Sequence, residues 1–112
     1  MQRLLSLGLA VLAAAAVFGQ EFRLGSQVAD FSLQDLKGNP VSFAALKGDL
    51  TVVMFIATQC PVSNAYNERM QALHRDYQAR GVRFVGVNSN STEPAADVEA
   101  HRVAHDFGFN VY

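Results

Sequence analysis

The sequence predicts an α/β fold: an N-terminal β-hairpin, then a β-α-β unit with central parallel strands, a second helix and a terminal strand stub. Three observations carry this. Val52 to Ala57 is a contiguous apolar run with little alternation, the pattern of a strand covered on both faces. Pro61 to Arg80 has helical periodicity, with Val62, Tyr66, Met70, Leu73 and Tyr77 on one stripe. Val82 to Asn88, with Phe84, Val85 and Val87, is a second strand-like run. Strand, long helix and strand in this order make a right-handed crossover between parallel strands.

The elements follow in order. Met1 to Gly19 has one charge, Arg3, then an apolar and small-residue run from Leu7 to Phe18 and a small residue at a cleavage position. This is the pattern of a bacterial-type signal peptide, cleaved near Gly19 or Gln20. The run is shorter than the ~20 residues of a spanning helix, which is the competing reading as a retained anchor. Residues 20–112 then form one domain, a single small domain being the prior at 112 residues. Phe31-Ser32-Leu33 reads as an edge strand, Asp35 to Asn39 as a turn, and Pro40 to Phe43 as the return strand with Val41 and Phe43 on one face. Pro40 is tolerated at a strand's first residue. Phe43 to Leu46 is one helical turn stopped by Lys47-Gly48. Gly81 ends the long helix, with Arg75 and Arg80 complementing its C-terminal dipole. Ser91 or Thr92 is expected to cap a second helix that runs to about Asp106, and Gly108 ends it. Phe109 to Tyr112 begins another extended segment.

Charge excludes some functions. Without residues 1–19, eight basic residues stand against ten acidic ones, a net charge of −2. The arginines Arg69, Arg75, Arg80 and Arg83 are dispersed, so neither a nucleic-acid nor an anionic-membrane partner is expected.

Cys60 is the chain's single cysteine. An unpaired cysteine in an exported protein points to a reactive thiol or an external partner, against the plainer reading of a buried, inert residue. Here a strand end delivers it to the start of a helix, where free backbone N–H groups and the helix dipole favour a thiolate. Pro61 suits the first helical position, which needs no N–H. Thr58 stands where a helix cap or the rim of a thiol site would be. Ser63 either gives a hydrogen bond to the Cys60 thiolate or satisfies backbone groups in the first turn. Asp97, His101 and His105, spaced four apart, are read as an exposed helix face, a metal edge being the alternative; no metal or cofactor is assigned. His74 is read as a surface residue, and Tyr66 and Tyr77 as core.

These residues carry a family likeness over residues 25–112. Gly25-Ser-Gln-Val-Ala-Asp-Phe31-Ser-Leu, Gly38-Asn-Pro-Val-Ser-Phe-Ala-Ala-Leu-Lys-Gly48, Val52-Val-Met-Phe-Ile-Ala-Thr-Gln-Cys60-Pro-Val-Ser63 and Gly81-Val-Arg-Phe-Val-Gly-Val-Asn-Ser resemble the thioredoxin-like superfamily on its redoxin side, the alkyl hydroperoxide reductase/thiol-specific antioxidant (AhpC/TSA) group. The resemblance implies a partial thioredoxin-like fold and an exported, periplasmic or extracellular thiol-dependent oxidoreductase with Cys60 as nucleophile. Its partner would be an external thiol or disulfide protein, or a peroxide. Serine at 63 replaces the resolving cysteine of dithiol members, so the expected cycle is monothiol, with a mixed disulfide released by an external thiol or a sulfenic acid reduced from outside, a resolving cysteine beyond Tyr112 being a third route. Ala57 and Val53 replace the threonine and proline of the peroxidatic pattern. The competing reading is a non-catalytic thioredoxin-like binding module or inactive fragment.

The family's fold continues with a cis-proline loop, an antiparallel strand pair and a last helix, so the domain is expected to be incomplete at its C-terminus. A parallel sheet short of cover is marginal at this size. Made alone, the chain is therefore expected to aggregate or be molten; sharp, sigmoidal thermal unfolding of a monodisperse sample would contradict this.

Overall fold

The computed structural model describes residues 23–112. The signal-peptide reading of residues 1–19 lies outside the described residues. No helix among the described residues is long and apolar enough to cross a membrane.

The hairpin pairs β1 (Ser32–Gln34) with β2 (Pro40–Ser42), antiparallel, Leu33 opposite Val41. Asp35 organises its turn. Its carboxylate accepts from Lys37 N–H at 2.9 Å and Asn39 N–H at 2.8 Å, and Gly38 takes the left-handed conformation the turn needs, φ 86°. Phe43 leaves the return strand and opens α1 (Phe43–Leu46), which Ser42 caps through Ala44 N–H at 3.1 Å. Its ring is buried and stacks on Phe31 at 4.7 Å.

The second sheet pairs β3 (Leu50–Phe55) with β4 (Val82–Val87) in parallel, Leu50 opposite Val82 and Phe55 opposite Val87. Residues 110–112 add a parallel segment on the far edge of β4: Gly86 N–H gives to Asn110 O at 3.0 Å and Tyr112 N–H to Gly86 O at 2.9 Å. Glycine eases the approach, because a Cβ at Gly86 would lie 3.0 Å from Val111 Cγ2 and 3.1 Å from both Asn110 O and Ile56 Cδ1, and these neighbours would have to give way. The core is Met54, Ile56, Met70, Val98, Phe107, Phe109 and Val111. Strand β3 is not covered on both faces as its sequence suggests. Met54 and Ile56 enter the core, whereas Val53 and Phe55 project from the opposite face and Phe55 is 72 % exposed.

The long helix is two helices. α2 (Pro61–Ala65) ends at Tyr66, whose φ −100° and ψ −4° depart from helical values, and α3 (Asn67–Tyr77) follows, with a 3-10 turn over Gln78–Arg80 stopped by left-handed Gly81. The break corrects three expectations. Of the predicted apolar stripe only Met70 faces the core: Val62 is 70 % exposed, and Tyr66, Leu73 and Tyr77 are also exposed, so neither tyrosine is core. Tyr77 instead carries the Arg80 guanidinium over its ring at 4.9 Å. His74 is buried rather than on the surface, and the inward stripe is Asn67, Met70, Gln71 and His74.

Three polar residues face the core, and two of them, Gln71 and Asn67, meet a hydrogen-bond partner there, although Asn67 Oδ1 is left without one. Gln71 Oε1 accepts from Gly108 N–H at 2.9 Å. Asn67 Nδ2 gives to Asn64 Oδ1 at 3.2 Å. His74 stands edge-on to Phe84 and Phe109, with ring centroids at 5.3 and 5.6 Å. Gly108 lies against its ring, where a Cβ would come within 2.7 Å of His74 Cε1. α4 (Ala95–Ala104) starts after Pro94 with no side-chain cap, correcting the Ser91 or Thr92 assignment.

His74 Nδ1 is buried without a hydrogen-bond partner, and burial lowers the imidazole's pKa from 6.5. The neutral ring is the native form, while the unfolded chain takes up a proton near 6.5. Stability is therefore fully present above about 6.5 and falls as the pH drops below it. Equilibrium denaturation of the full-length protein as a function of pH should show this slope, and His74→Leu should shrink it; an unchanged slope in the variant would assign it to other groups.

Candidate functional site

The site lies beyond the C-terminal ends of β3 and β4, the edge at which parallel sheets expose their loops. Ile56 extends the ladder through its N–H to Val87 O at 2.9 Å, and the chain then leaves the sheet. Cys60 is the N-cap of α2 with extended backbone, φ −86° and ψ 118°; Pro61 is the first helical residue, and Asn64 N–H closes the first turn on Cys60 O at 2.9 Å. The thiol is free and partly exposed.

Every backbone N–H from Ala57 to Cys60 is engaged. Ala57 N–H gives to Ser63 Oγ at 3.0 Å, Thr58 N–H to Glu93 Oε2 at 2.9 Å, Gln59 N–H to Glu93 Oε1 at 3.2 Å, and Cys60 N–H to Ala57 O at 3.4 Å. Among the described residues nothing accepts from the N–H groups of Val62 and Ser63, the second and third helical positions. Those are the donors an N-cap side chain is placed to accept.

Thr58 thus takes a role different from a cap, and Ser63 the second of its two expected roles. Thr58 does not cap the helix; its peptide group is the part that is gripped, N–H by Glu93 and C=O by Asn64 Nδ2 at 3.0 Å. Ser63 Oγ spends its acceptor capacity on Ala57, and no hydrogen bond joins it to Cys60. It acts in the first turn on the backbone.

Glu93 was not legible as a site residue. It sits in the loop after β4 and reaches back over 35 residues of sequence to Thr58. Its carboxylate is also bound by Asn88 Nδ2. Thr58 N–H is the largest influence on it, with Asn88 and the Gln59 N–H adding to the effect against partial burial, and together they hold its pKa down at about 2. Glu93 is therefore an anion at neutral pH. Asn64 is fixed in turn by His101, whose Nε2 lies 2.8 Å from Asn64 Oδ1. The oxygen can only accept, so the ring donates from Nε2. Burial first, then His105, lowers the His101 pKa. This bond replaces the metal edge considered for Asp97, His101 and His105. Among the described residues no cluster of three His, Cys, Asp or Glu side chains could hold a metal ion.

An open apolar groove of about 430 Å³ adjoins the thiol, lined by Met54, Phe55, Val62, Tyr66 and Met70 together with Cys60 and Ser63. A larger cavity of about 650 Å³ lies between the Asp35–Lys37 turn and α4, and the thiol is not among its lining residues.

Known proteins are similar to this chain in sequence and fold. The thiol-disulfide oxidoreductase ResA of Halalkalibacterium halodurans is 32 % identical over 71 residues, which are 63 % of this chain and 40 % of the relative. A hypothetical protein from Sinorhizobium meliloti superposes with TM-score 0.72 at 31 % identity, over 81 % of this chain and 53 % of that one. A thiol:disulfide interchange protein of the thioredoxin family from Chlorobium tepidum superposes with TM-score 0.61 at 30 % identity, over 73 % and 55 %. The chain spans 40 to 55 % of the lengths of these proteins. The model of the AhpC/TSA family matches residues 24–112, so the chain belongs to that family and has the thioredoxin-like α/β fold.

Proposed function

We propose that this protein is an exported thiol-dependent oxidoreductase in which Cys60 is the reacting sulfur. The observation that carries the reading is the partly exposed thiol at the start of α2, adjoining an apolar groove. Family membership supports it. Export rests on the pattern of residues 1–19.

In the cycle the Cys60 thiolate attacks one sulfur of a partner's disulfide. The new bond joins Cys60 Sγ to that sulfur, the partner's S–S bond breaks, and the departing thiolate takes a proton from water. The unbonded N–H groups of Val62 and Ser63 lie in the first turn that follows Cys60, where an N-cap side chain can accept from them. Serine at 63 cannot resolve the mixed disulfide, so a thiol from outside residues 1–112, an external one or a cysteine beyond Tyr112, attacks it, frees Cys60 and carries away the oxidising equivalent. The apolar groove favours a partner that presents apolar side chains or an organic group beside its disulfide. With a peroxide as oxidant instead, Cys60 Sγ would take the hydroxyl, becoming a sulfenic acid, and water or an alcohol would leave.

Two variants of the full-length protein test this. Cys60→Ser should abolish glutathione-dependent reduction of a model disulfide substrate, followed by absorbance; retained turnover would favour the binding-module reading. Ser63→Cys should supply the resolving thiol, so that oxidation joins Cys60 to the introduced sulfur in an internal disulfide, seen as a loss of two hydrogens in the intact mass. Failure to form that bond would mean the two side chains do not converge at the start of α2. Addition of hydrogen peroxide with a sulfenic-acid trap separates the oxidants: a trapped adduct at Cys60 in preference to disulfide exchange would make the peroxide the substrate.

A further inference from the structure

Glu93 is bound in an unusual way for a surface-loop carboxylate. Its hydrogen-bond partners among the described residues are neutral N–H donors: Thr58 N–H, Gln59 N–H and the Asn88 and Asn90 side chains. Two of these four belong to the backbone immediately before Cys60. A charged acceptor holds such donors about twice as strongly as a neutral one. The same Thr58 peptide is held at its carbonyl by Asn64, itself fixed by His101 and Asn67. The loop before the nucleophile is thus gripped on both polar groups of one residue by side chains from two other segments.

That grip has a consequence for the sulfur. Donors that Glu93 occupies cannot turn towards a thiolate. Released, the Thr58 and Gln59 N–H groups would be free to solvate it, and a thiolate with more hydrogen bonds is more stable but less nucleophilic. The loop would also lose the orientation that aligns Sγ with an incoming disulfide, and misplacement of a reacting atom is costly in rate.

We propose that Glu93 is a positioning residue for Cys60: it withholds the Thr58 and Gln59 N–H groups from the sulfur and fixes the loop, keeping the thiolate reactive. This rests on Cys60 being the reacting thiol, as proposed above. Glu93 touches neither substrate nor sulfur in this role and acts through the backbone of two residues.

The test is the rate of Cys60 with 2-hydroxyethyl disulfide across a pH series, on full-length wild type, Glu93→Ala and Glu93→Gln, with denaturation midpoints measured in parallel. In Glu93→Ala the plateau rate at high pH, where the thiol is fully ionised, should fall about tenfold or more. The inflection of its profile should move to lower pH, because the lost charge and the freed donors both favour the thiolate. Glu93→Gln keeps one carbonyl oxygen for one of the two N–H groups and should recover part of the plateau. A purely structural role would lower the midpoint and leave the inflection in place, and that result, or a Glu93→Ala plateau within about twofold of wild type, would overturn the proposal. If Glu93→Ala does not fold, Glu93→Gln decides by the same inflection. Wild-type Cys60 forming no mixed disulfide at all would instead sink the thiol-exchange reading on which the inference stands.

Discussion

The bond from Glu93 to the peptides of Thr58 and Gln59 joins the two loops that leave the parallel sheet at its C-terminal edge. Much of the site's order follows from it. Strands β3 and β4 run side by side, so their exits are neighbours, but a strand end alone does not fix what its loop does next. The carboxylate does so by drawing the loop before Cys60 onto the loop after β4. Asn88 supports it from the strand end, its own N–H bonded to Tyr112 O at 2.8 Å. The chain between strand and helix is thereby left with no free backbone donor until Val62. With the carboxylate pKa held at about 2, the clamp is present above the ordinary glutamate range near 4.5 and is lost only as the pH falls through about 2.

The same region shows how a polar helix face comes to be buried. α2 and α3 are separate at Tyr66, which lets α3 turn Asn67, Gln71 and His74 inward. Two of these make contacts an apolar residue could not: Asn67 steadies Asn64, and Gln71 holds the Gly108 N–H where the chain turns after α4, while His74 meets the Phe84 and Phe109 rings edge-to-face. The arrangement serves the thiol as well, because Asn64 lies one turn from Cys60 and grips Thr58. Val62 and Tyr66 are left outside, where they line the groove beside the sulfur instead of filling the core. The residues whose spacing marks a helix are thus, in part, residues of the site.

How much of this was legible in the sequence depends on how local the determining interaction is. The hairpin turn was legible because Asp35, Gly38 and Asn39 satisfy one another within five residues. The parallel pair was legible from two apolar runs of strand length, and Cys60 as a helix-start thiol from the run before it and the proline after it. The direction of α3 was not, since periodicity reports that a helix has a stripe but not that Tyr66 breaks it and turns a different stripe inward. Glu93 was not, because its partners are backbone N–H groups, which carry no residue-type signal and lie 34 and 35 residues away. The available clue was topological: an acid in the loop after β4 shares an edge with the loop after β3. Ser63 was half legible, its first-turn role foreseen as one of two and its partner, Ala57, not.

The central claim is that Cys60 exchanges disulfides through a covalent intermediate. Rapid acid quenching of the full-length protein mixed with oxidised glutathione, followed by mapping of the peptide that contains Cys60, tests it most directly. The account predicts a glutathione adduct on Cys60 that forms first and disappears when reduced glutathione is added. A Cys60 that stays a free thiol while the protein remains folded would contradict it.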